Sequence, residues 1–108
     1  MKIKEPKITN KTALMDKIEN YLNNANEYKS KEQMCNYLGL EYNGTNDRKV
    51  RRLLELLVIE RGIKVIATSD RRGYKVANSE DEIEHQIAEN NSRIRKLELR
   101  NEALRKIG

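Results

Sequence analysis

The chain has no tryptophan and no phenylalanine, and its five tyrosines are its only aromatic residues. The largest apolar anchors are missing, so any core must be small and built from Leu, Ile, Val, Met and Tyr. A single cysteine, Cys35, excludes an internal disulfide and every motif that needs a cysteine pair. The single histidine, His85, has no partners at metal-ligand spacing and reads as surface decoration. No apolar run approaches the length of a membrane span, and the opening MKIKEPKITNK lacks the apolar stretch of a signal peptide. The expected location is therefore a reducing bacterial cytoplasm. There is no glycine-rich phosphate loop, and no Ser or Cys stands beside a plausible base. The expectation is a protein without enzymatic activity, catalytic residues, metal or cofactor.

What the chain does have is charge. Of 108 residues 36% are charged, with a formal net charge of +5. The distribution is uneven: residues 1–79 hold 16 Lys and Arg against 10 Asp and Glu, while residues 80–108 hold 6 against 7. A basic excess confined to the first part suits a polyanionic partner bound there. The abundance of Lys, Asn, Glu and Ile is that of an AT-rich bacterial or phage genome.

Pattern divides the chain into three stretches. Residues 1–11, with Lys2, Lys4, Lys7, Lys11 and Pro6, read as a flexible basic arm. From Thr12 the residues Leu14, Ile18, Tyr21 and Leu22 recur at helical spacing until Asn23, Asn24 and Asn26 interrupt them. Ser30-Lys31-Glu32-Gln33 is a capping box that opens a second helix. Met34, Tyr37 and Leu38 give that helix an apolar face, Cys35 is a small core residue among them, and Gly39 closes it. Leu40 to Thr45 is a turn.

A third helix is expected from a cap at Asn46 or Asp47 to Arg61, with Gly62 closing it. Its first half is charged except for Val50. Its second half, LLELLVIE, is apolar nearly all round and is expected to be covered by other elements. Arg48, Arg51, Arg52 and Glu55 lie away from Val50, Leu53, Leu54 and Leu57. Ile63 to Ile66 and Tyr74 to Val76 then read as two strands around a turn containing Gly73, with Tyr74 and Val76 facing inward and Lys75 outward.

This order, with Asn46-Asp47-Arg48-Lys49-Val50-Arg51-Arg52, Arg61-Gly62-Ile63 and Arg72-Gly73-Tyr74-Lys75-Val76, resembles the winged helix-turn-helix proteins of bacteria and phages. The layout is similar to that of the N-terminal domain of the biotin operon repressor, whose enzymatic portion has no counterpart here. The resemblance covers roughly residues 12–77. It implies a mainly α fold of three helices plus a two-stranded wing over residues 12–78, with the third helix in the major groove of double-stranded DNA. Candidate DNA contacts are Arg48, Lys49, Arg51 and Arg52 on the helix, and Lys64, Arg71, Arg72 and Lys75 in and beside the wing. The implied role is sequence-specific binding, as a transcriptional regulator or replication-associated protein of a phage or mobile element. The alternative is a protein-interaction module, such as a phage-encoded inhibitor of a host protein.

Residues 79–108 read as one helix, opened by a second capping box, Ser79-x-x-Glu82. Ile83, Asn90, Leu97 and Leu104 at d, with Ile87, Ile94 and Asn101 at a, form a coiled-coil seam. The expected partner is a second copy of the chain, giving a homodimer; the alternative is a stripe that folds back on its own domain. Direction stays open. Arg93 facing Glu98 suits a parallel pair, while the acidic start and basic end of the helix suit an antiparallel one.

Overall fold

Three helices are set by caps and apolar faces that local sequence dictates. In the computed structural model, which describes residues 10–106, α1 spans Lys11–Asn23, α2 spans Lys31–Leu38 and α3 spans Gly44–Arg61. The chain divides into two compact units, one ending at Ala77 and the other beginning at Asn78. The first unit holds these helices and a small antiparallel sheet of β1 (Lys29–Ser30), β2 (Val65–Ala67) and β3 (Gly73–Val76). The second is α4, Glu80–Arg105.

The α2 capping box is complete. Ser30 Oγ accepts from the Gln33 amide at 3.1 Å, and Gln33 Oε1 accepts from the Ser30 amide at 2.8 Å. Two corrections apply to the helix starts. Of the expected arm, Lys2, Lys4 and Lys7 lie outside the described residues, while Lys11 opens α1 with its ammonium 3.6 Å from Glu60. The third helix begins earlier than Asn46 or Asp47, because Asn43 is its cap and accepts from the Asn46 amide at 2.8 Å. At the other end Gly62 takes φ 67°, and the amide of Ile63 reaches back to the Leu57 carbonyl at 3.0 Å. This left-handed closure ends the helix and turns the chain into β2.

The core gathers Met15, Ile18 and Leu22 from α1 with Met34 and Cys35 from α2. Val50, Leu53, Leu54, Leu56 and Leu57 join from α3, and Tyr74 from β3. Val65, Ala67 and Val76 pack against this cluster, so the hairpin presents alternate residues to it as expected. Two expectations need correction. Val58 and Ile59 are exposed, Ile59 at 73%, so the second half of α3 is not covered all round. Tyr37 is also exposed, although its ring stacks on Tyr21 with centroids 4.4 Å apart.

The sheet has three strands rather than two. β1 pairs with β3 in the register Lys29↔Tyr74 and Ser30↔Gly73, and β3 pairs with β2 through Val65↔Val76, Ile66↔Lys75 and Ala67↔Tyr74. Pairing of β1 alongside β3 explains Gly73. A Cβ there would stand 2.9 Å from Tyr28 Cβ and 3.3 Å from Thr68 Cγ2.

In α4, Ser79 caps the first turn, its hydroxyl accepting from the Glu82 amide at 3.3 Å. Glu82 reaches back to the Asn78 amide at 2.7 Å rather than to that of Ser79. Three carboxylates stand in the first turn and Arg105 in the last, complementing the helix dipole. No residue of α4 is buried. Among the described residues no helix is long and apolar enough to cross a membrane.

Gly73→Ala is expected to force β1 off β3 and to lower stability by about 1–3 kcal/mol, as overpacked sites do. Urea melts check this. An unchanged midpoint would mean that β1 yields freely.

Candidate nucleic-acid interface

The geometry of α3 follows from which of its residues are buried. Val50, Leu53, Leu54 and Leu57 face the core, and a helix turns 100° per residue, so Arg48, Arg52, Glu55 and Ile59 form a stripe on the opposite side. Arg48 is exposed, and Arg51 stands beside the stripe with its side chain 60% exposed. Lys49 is half-buried on the other flank, in line with Leu56 one heptad on.

Carboxylates hold two of these cations. Arg51 Nη2 lies 2.9 Å from Asp47 Oδ2, and Arg52 Nη1 lies 3.0 Å from Glu55 Oε2. Asp47 is the more consequential partner, since its side chain is only 16% exposed. Lys31, the first residue of α2, places its Nζ 2.9 Å from Asp47 Oδ1, and the Tyr42 hydroxyl donates to the same oxygen at 3.2 Å. One carboxylate thus ties the starts of α2 and α3 together and orients Arg51. Burial pushes the Asp47 carboxyl up. The hydrogen bonds and charge of Lys31 and the hydrogen bonds of Arg51 and Tyr42 outweigh it, holding the group below its ordinary value.

The β2–β3 loop is held from within. Thr68 Oγ1 donates to Asp70 Oδ1 at 2.6 Å and accepts from the amides of Arg72 at 3.2 Å and Gly73 at 3.1 Å. A second ring closes from the Arg71 amide to the Thr68 carbonyl at 2.9 Å. Arg71 takes φ 60°, a left-handed conformation that a residue with a Cβ adopts at a cost. Arg72 projects, 89% exposed, with Nε 3.8 Å from Asp70 Oδ2.

The eight candidate contacts therefore fall into three groups. Arg48, Lys49, Arg51 and Arg52 share the first half of α3, and Arg71 and Arg72 share the loop. Lys64 is exposed just before β2. Lys75 is half-buried, with its ammonium 5.1 Å from the centre of the Tyr28 ring. Lys31, Asp47, Tyr42 and Tyr28 were not anticipated from the sequence. The Asp47–Arg51 spacing of i, i+4 was readable, but Lys31 comes from a different element and carries no local signal.

Cys35 is fully buried, and burial pushes its thiol up, with Asp47 and Glu32 adding to the shift. His85 is exposed beside Glu89 at 3.3 Å. Among the described residues no group of three or more His, Cys, Asp or Glu is arranged to hold a metal ion. Comparison with protein-family models, curated proteins and solved structures finds no match for this chain.

Two outcomes are expected. A group with a depressed folded pKa stabilises the fold above its unfolded pKa, and that contribution disappears as pH falls through the folded value. Asp47→Asn should cost about 1–3 kcal/mol at neutral pH, and the gap to wild type should narrow in strongly acid solution. Urea midpoints at both pH values decide this; a constant gap would deny Asp47 the role. Arg71→Gly should relieve a left-handed conformation whose strain is about 1–2 kcal/mol, less the chain entropy that glycine loses on folding and the contacts of the arginine side chain, and thermal melts would register the difference.

Proposed function

We propose that residues 10–77 form a winged helix-turn-helix and that the chain binds double-stranded DNA with sequence preference. In this reading α3 lies in the major groove and the β2–β3 loop lies against backbone or minor groove. One observation carries the reading: α3 is buried along Val50, Leu53, Leu54 and Leu57 and presents Arg48, Arg51 and Arg52 on its outward side. An arginine-bearing helix face on a rigid support is what bidentate contact to guanine O6 and N7 requires. Arg71 and Arg72 at the tip of an internally braced loop supply a second cationic point, suited to phosphate or a narrow minor groove. The resemblance of the helix order and of the Gly73-Tyr74 pair to winged helix-turn-helix proteins supports the same docking. The role that follows is that of a transcriptional regulator or replication-associated protein of a phage or mobile element.

A second reading has one observation in its favour. Ile59 continues the stripe of Arg48, Arg52 and Glu55 while 73% exposed, and Val58 beside it is exposed too. An apolar end to a charged stripe suits docking on a host protein.

Random-site selection on double-stranded DNA, followed by titration at several salt concentrations, separates the two. DNA binding predicts an enriched sequence and affinity that falls steeply with salt. Arg48→Ala and Arg52→Ala should each weaken binding to the selected site by about 1–3 kcal/mol, while the cooperative unfolding of the first unit persists because neither side chain belongs to the core cluster. Replacing Arg71 and Arg72 together by Ala should weaken all sequences alike and flatten the salt slope by about one per lost phosphate contact. No enriched sequence and no salt dependence would abandon the DNA reading for the protein partner.

A further inference from the structure

We propose that α4 pairs with α4 of a second copy of this chain in antiparallel orientation. Ile87 then faces the partner's Leu104, Ile94 faces the partner's Leu97, and Asn90 faces the partner's Asn101. This inference does not depend on the DNA-binding reading.

The first ground is an exposed apolar stripe. Ile87, Ile94, Leu97 and Leu104 are 45%, 53%, 54% and 69% exposed. With Asn90 and Asn101 they fall within an arc of about 100°, and the arc drifts by about 20° per heptad, as in the seam of a left-handed coiled coil. Leu99, also exposed, lies on the opposite side, where a lone surface leucine needs no partner.

The second ground is self-complementarity. Positions 87, 90, 94, 97, 101 and 104 are symmetric about the midpoint between Arg95 and Lys96. Reversing one helix about that point maps each apolar residue onto an apolar residue and each asparagine onto an asparagine. Every layer is then an a position against a d position. Ile83, half-buried, lies beyond this paired stretch.

Charge decides the direction. A parallel pair also matches asparagine with asparagine, and the close flanking contacts do not discriminate. The antiparallel arrangement gains Glu84 with the partner's Arg105 and loses Arg93 against the partner's Arg100. The parallel one gains Arg93 with the partner's Glu98 and loses Arg100 against the partner's Arg105. What remains is the division of the helix. Residues 80–92 carry five acidic and no Lys or Arg residues, whereas residues 93–105 carry five basic and two acidic ones. Parallel packing lays acidic half on acidic half. Antiparallel packing lays each acidic half along a basic one and opposes the helix dipoles.

Sedimentation of the full chain and disulfide trapping test this together. Wild type should sediment at twice 12.7 kDa at micromolar concentration. A variant carrying both Ile94→Asp and Leu97→Asp should sediment as a monomer while keeping the cooperative unfolding of the first unit. In a Cys35→Ala background, Leu104→Cys alone and Ile87→Cys alone should form no covalent dimer in a glutathione buffer, whereas the two variants mixed should. A monomeric wild type overturns the proposal. Crosslinking of the Leu104→Cys variant with itself overturns the antiparallel direction.

Discussion

The one-sided burial of α3 governs the placement of the basic side chains along that helix. Val50, Leu53 and Leu57 have no accessible surface, and they meet a core that contains neither Phe nor Trp. In so small a cluster each aliphatic side chain is a large share of the total, and truncating one costs about 2–5 kcal/mol. Rolling α3 by one residue, 100°, would lift Leu53 out and drive a charged neighbour in. Burying a charge without a full set of partners costs several kcal/mol more. The helix therefore has one rotational setting, and Arg48 and Arg52 point outward because the leucines cannot.

Orientation of those side chains is a separate matter, settled by electrostatics. Arg52, its side chain 27% exposed, pairs with the more exposed Glu55, so solvent screens this pair only in part. Asp47 differs because it sits between two cations, Lys31 and Arg51. The cluster keeps a net positive charge while its carboxylate braces the start of α3 against α2. An anionic ligand meeting Arg51 would not have to displace the brace, since Lys31 holds Asp47 through both oxygens.

Local features of this fold were legible in the sequence, and features made by distant contacts were not. The Ser30 capping box, the glycine stops at Gly39 and Gly62, and the inward Tyr74 each need only a few neighbouring residues, and each was anticipated. β1 was not, because two residues show no alternation and Ser30 already had a role as a cap. The Asn43 cap was missed for a related reason: Asn46 and Asp47 are equally good capping residues. Which asparagine caps is decided by Asn46 Nδ2 donating to the Glu41 carbonyl at 2.6 Å. Exposure of Val58 and Ile59 had no sequence signal, since composition records that a residue is apolar and not how far the neighbouring helices reach. At the candidate interface, the cluster on α3 and the pair in the loop were both legible as basic runs. The Lys31–Asp47 brace and the Lys75–Tyr28 contact join residues 16 and 47 positions apart, beyond the reach of any spacing rule.

The two proposals constrain each other through length. In the antiparallel register the two copies of Glu80 lie 31 residues apart along the paired helices, about 46 Å at 1.5 Å per residue. Adjacent half-sites on one face of a duplex are about 34–36 Å apart, centre to centre. If both proposals hold, the half-site interval must be compatible with that separation of the helix starts. In each unit Arg51, Arg52 and Arg72 already face a carboxylate, so an anionic ligand would compete with those pairs. Coupling two half-site contacts raises apparent affinity by about 10²–10⁴-fold when the geometry permits both, and by nothing when it does not. Half-site separation is thus the quantity on which the paired helix and the arginine face must agree.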